Sequence, residues 1–307
     1  MHRFILRRFM SALITLFLVS ILIFIIARLQ GDPRYLYLSD AARMDKETWD
    51  EMGRQMGLDK PVIAQYIVFL GQAFQGDLGL SIHQQRPVMS IVWGRAPATG
   101  QLALAAFVFM VVIGVPLGVL SAVKRGTIWD YLGRTFAILG QSMPAFLIAI
   151  SLVLIFAVWL GWLPTSRRGG LSHYILPSIT MGWLSAAGML RLIRSSMLAV
   201  LDSEFVKFAR SKGVSGFRVI WKHALRNALL APLTYAGLTL AWMMTGSIIL
   251  ESVFAWPGVG LLAIQATRSA DYPLLQATVL FVAVGYVAIS FLVDVLYAYV
   301  DPRIRYA

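Results

Sequence analysis

Four histidines and no cysteine are all this chain offers of the two residue types that most readily activate nucleophiles or ligate transition metals. His2, His83, His173 and His223 stand far apart, each in a polar segment near the end of an apolar run, and no HExxH pair occurs. A zinc peptidase is therefore unsupported, no ligand cluster suits nickel, and the expected metal content is none. Ser142, Ser151, Ser185 and Ser247 lie inside apolar runs with no histidine to take their protons, which argues against a serine hydrolase. No GxxxxGK[ST] stretch is present, so the chain lacks a phosphate-gripping loop of its own. No catalytic residue and no cofactor is assigned to it.

The remaining polar side chains suit a passage better than a reaction. Gln141, Ser142 and Met143 precede Pro144 in one apolar run, and Trp242, Met243, Met244, Thr245 and Ser247 crowd another. Polar and soft residues in such positions could line a route, with methionine adapting to varied solutes, while Gly140, Pro144 and Gly246 loosen or kink the helices. Ordinary helix packing, which also favours small and hydroxyl residues, is the competing reading. Glu251, Phe254 and Trp256 could form an outer mouth, or the two aromatics could belong to an interfacial belt. Asp294 is the clear acid within an apolar run; pairing with Arg191 or Arg194 is expected, with a proton relay as the alternative.

Residues 194–227 form a long basic insert between two apolar runs. The insert reads as two short helices meeting at Gly213. Asp202 is the expected N-cap, Leu201 and Val206 the hydrophobic staple, and Lys207, Arg210 and Lys212 favour the helix end. Gly213 supplies the stop and Ser215 the next start. Met197, Leu198, Leu201, Phe205, Phe208 and Ala209 recur at helical spacing, so the insert is amphipathic as well as basic. Such a surface either lies on anionic lipid or meets a partner.

The elements that carry these residues are set by composition. Of 307 residues 58% are hydrophobic and 14% charged, against about 25% charged in a soluble domain. The chain is expected to be an all-α membrane protein with spans at 9–29, 99–123, 133–163, 174–193, 228–250 and 274–300, each long enough for a core of about 30 Å. Residues 30–98 form a polar outer segment, with helices at 44–56 and 62–74. Residues 251–273 hold a re-entrant or interfacial helix over 261–267. The net charge of +12 does not gather on one soluble face, so nucleic acid is not expected as a partner. Of the 27 Lys and Arg, 16 fall on the side of the amino-terminus. The head, the basic insert and the tail are therefore expected in the cytoplasm, with both termini inside.

The order Phe205-Val206-Lys207-Phe208-Ala209-Arg210-Ser211-Lys212-Gly213, followed by His223-Ala224-Leu225-Arg226-Asn227, resembles the "EAA" loop of ATP-binding-cassette importer permeases of the peptide and nickel branch. Gly31-Asp32-Pro33, Gly57 to Pro61, Gly76 to Gly79, Arg95 to Thr99, Phe254 to Gly260, Asp271-Tyr272-Pro273 and Asp301 to Arg305 extend the resemblance over nearly the whole chain, in the manner of the dipeptide and oligopeptide permease B subunits. The resemblance implies a type I importer fold in a prokaryotic inner (cytoplasmic) membrane. It implies a second homologous permease, two cytoplasmic ATPase subunits that use ATP and Mg, an external solute-binding protein and the lipid bilayer as partners. Asp202, Glu204, Phe205, Lys207, Phe208, Ala209, Arg210, Lys212 and Gly213 would then be the ATPase-coupling loop. Import of di- or oligopeptides is the implied function; nickel import is the alternative within the family, and an ion-coupled secondary carrier the alternative outside it.

Overall fold

The computed structural model describes residues 2–29, 34, 46–55, 58–246 and 248–300, and its regular elements are helices. The first, α1 (His2–Leu29), carries the basic head and the first apolar run as one helix, since neither Gly nor Pro interrupts it. Two shorter helices follow, α2 (Lys46–Gln55) and α3 (Val62–Phe74). Of the motif residues that begin and end the chain, Gly31 to Pro33 and Asp301 to Arg305 lie outside the described residues.

Helix α4 (Val88–Val123) is 36 residues long and starts well before the expected 99, taking in Pro97 and Pro116. The third apolar run does not make one straight span over 133–163. It starts at Ile128 as α5 (Ile128–Ser142), breaks, and resumes as α6 (Ala145–Leu152) with a π-helical continuation over Val153–Trp159. The two halves are bent by 109°. Pro144 is the cause, because its ring excludes the preceding residue from the helical region, and Met143 is extended at φ −103° and ψ 132°.

Helix α7 (Ser172–Leu201) runs eight residues past the expected end of its span, so the loop proper begins at Asp202 rather than 194. Next come α8 (Glu204–Ser211), a turn at Gly213, and a mixed α and π segment over residues 216–228. The fifth run is also broken. Helix α9 (Leu230–Met244) stops short of Gly246, whose φ of +78° a side chain would resist, and α10 (Ile248–Val253) follows. Helices α11 (Val259–Arg268) and α12 (Tyr272–Val300) complete the order.

Stretches of α1, α4, α7 and α12 are long and apolar enough to cross a membrane, and the bent α5–α6 pair makes a fifth span if taken as one. The 15 residues of α9 rise only about 22 Å, so the fifth run reaches membrane thickness only together with α10.

Close approach of small residues holds the centre together. Helices α4 and α7 run parallel, with Gly118 against Leu190 and Ile193, Gly114 against Ala186 and Met189, and Gly182 against Ala106. A Cβ on Gly118 would fall 2.7 Å from that of Ile193, so the contact depends on the missing side chain. Helix α5 runs antiparallel alongside, its Gly140 under Trp183 and its Phe136 stacked on that indole at 5.3 Å. Helix α12 closes on α9 where Gly237 meets Val293, and α1 lies outermost against α12 through Phe9 and Phe291.

That outer position of α1 corrects one expectation. Asp294 pairs with Arg8 at 3.1 Å, not with Arg191 or Arg194, because the amino-terminal helix packs directly on α12. Arg194 turns to the α4–α5 corner instead. Both oxygens of Asp130 accept from its guanidinium, at 2.8 and 2.9 Å, and the buried carboxylate also accepts from Ser121 Oγ and the Gly126 N–H. Arg194→Lys keeps the charge but cannot form the two-pronged bond. It is expected to lower stability by about 1.5–3 kcal/mol, the worth of one charged hydrogen bond, read as reduced resistance to denaturant in detergent.

Candidate coupling surface and transport route

At the Arg8 end of the bundle the chain leaves α7 with Asp202 as the C-cap of that helix, not the N-cap of α8. Ser203 takes the N-cap position, and its hydroxyl donates back to the Val200 carbonyl instead of capping α8. The expected cap is thus displaced by one residue, and Leu201 no longer holds the staple position before it. Gly213 then ends α8 at φ +75°. Its N–H donates to the Arg210 carbonyl at 3.0 Å and that of Val214 to the Ala209 carbonyl at 3.3 Å, the paired bonds of a Schellman stop.

This geometry sorts α8 into two faces. Val206 is fully buried, whereas Phe205 and Phe208 are 43% and 60% exposed. Around them Lys207 pairs with Glu204 at 2.8 Å, the Lys212 ammonium lies 4.4 Å from the Phe208 ring centre, and Arg210 points into the open. Ala209 is half-buried. The following segment repeats the division. Val219, Ala224, Leu225 and Ala228 turn inward, the last three packing with Met197 of α7, while Phe217 and Trp221 stay exposed with ring centres 6.2 Å apart. These two aromatics were not singled out from the sequence; their four-residue spacing was the available signal. The result is a surface with four exposed aromatic rings among cations, fixed to the bundle by a buried underside.

The opposite end is organised by Glu251. Its side chain is fully buried, accepting from Thr99 Oγ1 at 2.8 Å, from the Leu261 N–H at 2.9 Å and from the Gly260 N–H. Gly260 and Leu261 belong to the first turn of α11, so the carboxylate meets unpaired amides where the helix dipole is positive. Thr99 Oγ1 in turn accepts from the Val259 N–H, which ties α11 to α4. Trp256 donates its indole N–H to the Ala98 carbonyl at 2.8 Å and meets Tyr174 edge-on. Phe254 and Trp256 are 2% and 0% exposed. They form neither a lipid-facing belt nor a mouth; all three residues are core, because the turn before α11 folds them under α4.

Asp271 performs a similar service nearby. It accepts from Ser81 Oγ and the Ile82 N–H while capping α12 through the Leu274 N–H, so the 81–83 turn is clamped to the start of the last helix.

The expected route residues divide. Gln141, Ser142 and Met143 are exposed at the α5–α6 break, and Trp242 is half-exposed. Met243 is not on a surface: it packs with Ala149, Leu176 and Trp256 in the core, one helical step from Trp242. Thr245 returns its hydroxyl to the Trp242 carbonyl, and Ser247 lies outside the described residues. Among the described residues no three His, Asp or Glu side chains converge as a metal site would require.

The sequence profile described as "Binding-protein-dependent transport system inner membrane component" matches residues 114–306, and that of the corresponding N-terminal region matches residues 1–105. The chain is 39% identical over 307 residues to the glutathione transport system permease protein GsiC of Escherichia coli strain K12, covering 100% of both. The GsiC protein of Shigella dysenteriae matches equally. Among solved structures, an inward-facing form of the MetNI methionine ABC transporter aligns with a TM-score of 0.58 at 20% identity, over 69% of this chain and 97% of that one. At that identity the alignment shows a shared fold.

Proposed function

Because the chain belongs to the family of binding-protein-dependent transport system inner membrane components, and is a membrane permease subunit of a peptide-type ABC importer, we propose that it forms half of a route for di- or oligopeptides. Small thiol peptides such as glutathione fall within that class, on the strength of the GsiC relatives. A second, homologous permease supplies the other half. Two cytoplasmic ATPases and an external solute-binding protein complete the assembly. The excess of Lys and Arg at the Arg8 end supports placing that end, and both termini, in the cytoplasm.

The observation that carries the proposal is the two-faced α8 with its neighbour at 216–228. A surface helix that keeps Phe205, Phe208, Phe217 and Trp221 out of the bundle, on an underside locked into it, is built to be pushed. Glu204, Lys207, Arg210 and Lys212 supply the polar rim of such a contact, and Gly213 sets its angle. Gln141 to Met143 and Trp242 are the side chains offered to the route; Asp294, held by Arg8, is unsuited to carry a proton across it.

The test is uptake of labelled glutathione and of a dipeptide into proteoliposomes holding the importer assembled with its ATPases and binding protein. Peptide accumulation that stops when ATP is withheld is expected. Accumulation that continues without nucleotide, or uptake of Ni²⁺ in place of both peptides, overturns the proposal.

A further inference from the structure

Helix α3 lies in the stretch between the first two long apolar helices, which polarity alone assigns to water, yet its own composition does not belong there. Across Val62–Phe74 there is no charged residue. The large apolar side chains it presents outward are Val62, Ile63, Ile67, Val68 and Phe74, at 47–89% exposure, with Gln72 the exposed polar one, and none of its residues is fully buried. Left in water, such a face forgoes about 25 cal/mol for each Å² of apolar surface.

What places this face is the opposite side of the helix. Tyr66 inserts against α1, its ring edge-on to Phe17 and Phe24, and its hydroxyl lies 2.8 Å from Ser20 Oγ. Phe69 packs on Phe24 as well. Ser20 lies twelve residues beyond Arg8, about 18 Å along the helix at 1.5 Å per residue, still inside a hydrocarbon core about 30 Å thick. A Ser–Tyr pair there makes sense because Ser20 Oγ, whose own proton goes to the Phe17 carbonyl at 2.8 Å, accepts from the Tyr66 hydroxyl where water does not. Helix α3 is thereby pinned to the half of α1 remote from Arg8. Its exposed face continues the one that α1 turns outward through Phe17, Leu18, Leu22, Ile25 and Ile26.

We infer that α3 is a membrane-embedded helix whose Val62, Ile63, Ile67, Val68 and Phe74 lie among the acyl chains of the leaflet remote from Arg8, anchored by the Tyr66–Ser20 pair. The occupant of this face is lipid, in continuity with the lipid-facing side of α1. The inference requires only that α1 spans the bilayer, not that the solute is a peptide or that α8 meets an ATPase.

This chain has no native cysteine, so each introduced cysteine is the one site labelled in it. Ile67→Cys, Val68→Cys and, as a water-side reference, Gln84→Cys are each introduced into the full importer, spin-labelled and reconstituted in phospholipid nanodiscs. Collision rates with oxygen, which concentrates in acyl chains, and with a water-soluble nickel chelate are then compared. Labels at 67 and 68 are expected to favour oxygen severalfold over the label at 84, and to be shielded from the chelate. Free access of the chelate to both overturns the inference in favour of a water-facing helix. Shielding from both reagents overturns it in favour of a protein occupant, such as a partner subunit. Tyr66→Phe, which keeps the ring packing, is expected to raise chelate access at position 67; no change shows that the hydroxyl pair is not the anchor.

Discussion

Glu251→Ala is expected to be the most damaging single substitution in the described part of the chain, lowering stability by about 4 kcal/mol or more. The carboxylate sits in a cradle shaped by three glycines: a Cβ on Gly246, Gly258 or Gly260 would fall 2.4–3.0 Å from its oxygens. Removing it strands the Thr99 hydroxyl and the Gly260 and Leu261 amides in a site that is 0% exposed, and empties the space they surround. Each abandoned buried donor costs about 1–3 kcal/mol, and the cavity adds to that. Glu251→Gln fills the space but turns an amide N–H toward donors and gives up the charge at the α11 amino-terminus, so an intermediate loss is expected. Unfolding of the purified importer in detergent, followed against denaturant, ranks the three proteins. A Glu251→Ala midpoint equal to that of the unaltered chain would contradict the cradle. The same contacts join α4, α10 and α11 into one body, so a surviving variant should also lose uptake if these helices move as a unit.

Whether a residue was legible in the sequence depended on how local its determinants are. The stop at Gly213 is written in a few neighbouring residues, and the helix ends there as the pattern predicts. The sequence puts the α8 start one residue early because Asp202 and Ser203 are both good caps. The choice fell to α7, whose last turn captures the Ser203 hydroxyl through the Val200 carbonyl. Pro144 announced a disturbance, but neither its position nor its neighbours encode a bend of 109°. Partners distant in sequence were the least legible. Nothing near Asp294 identifies Arg8, 286 positions earlier, and nothing near Trp256 identifies the Ala98 carbonyl that receives its N–H. Aromatics beside a span end are read as belt or mouth by default, and here packing under α4 overrides the default. Of the exposed aromatics on this surface, Trp221 sits in the π-helical stretch Val219–Ala224, whose periodicity departs from 3.6 residues, while Phe217 lies in the short α turn just before it.

Reversing the character of that exposed surface is expected to have the largest effect on transport. Phe208 and Trp221 are 60% and 41% exposed, so Phe208→Asp and Trp221→Asp should leave insertion and unfolding nearly unchanged. Aromatic anchors at protein interfaces are commonly worth about 2 kcal/mol or more, which corresponds to roughly a thirtyfold weaker contact. ATP-driven uptake in proteoliposomes should fall by about that factor, and the ATPase subunits should wash from the affinity-purified membrane subunits more readily. Charge and shape are separated by Gly213. A β-branched side chain at φ +75° is strained, so Gly213→Val should re-aim α8 and depress uptake without touching any aromatic. Asparagine tolerates that backbone region, and Gly213→Asn should retain most of the activity. If valine and asparagine behave alike, the angle of α8 is immaterial to transport. If Phe208→Asp transports normally in an intact complex, the exposed face is not where force enters.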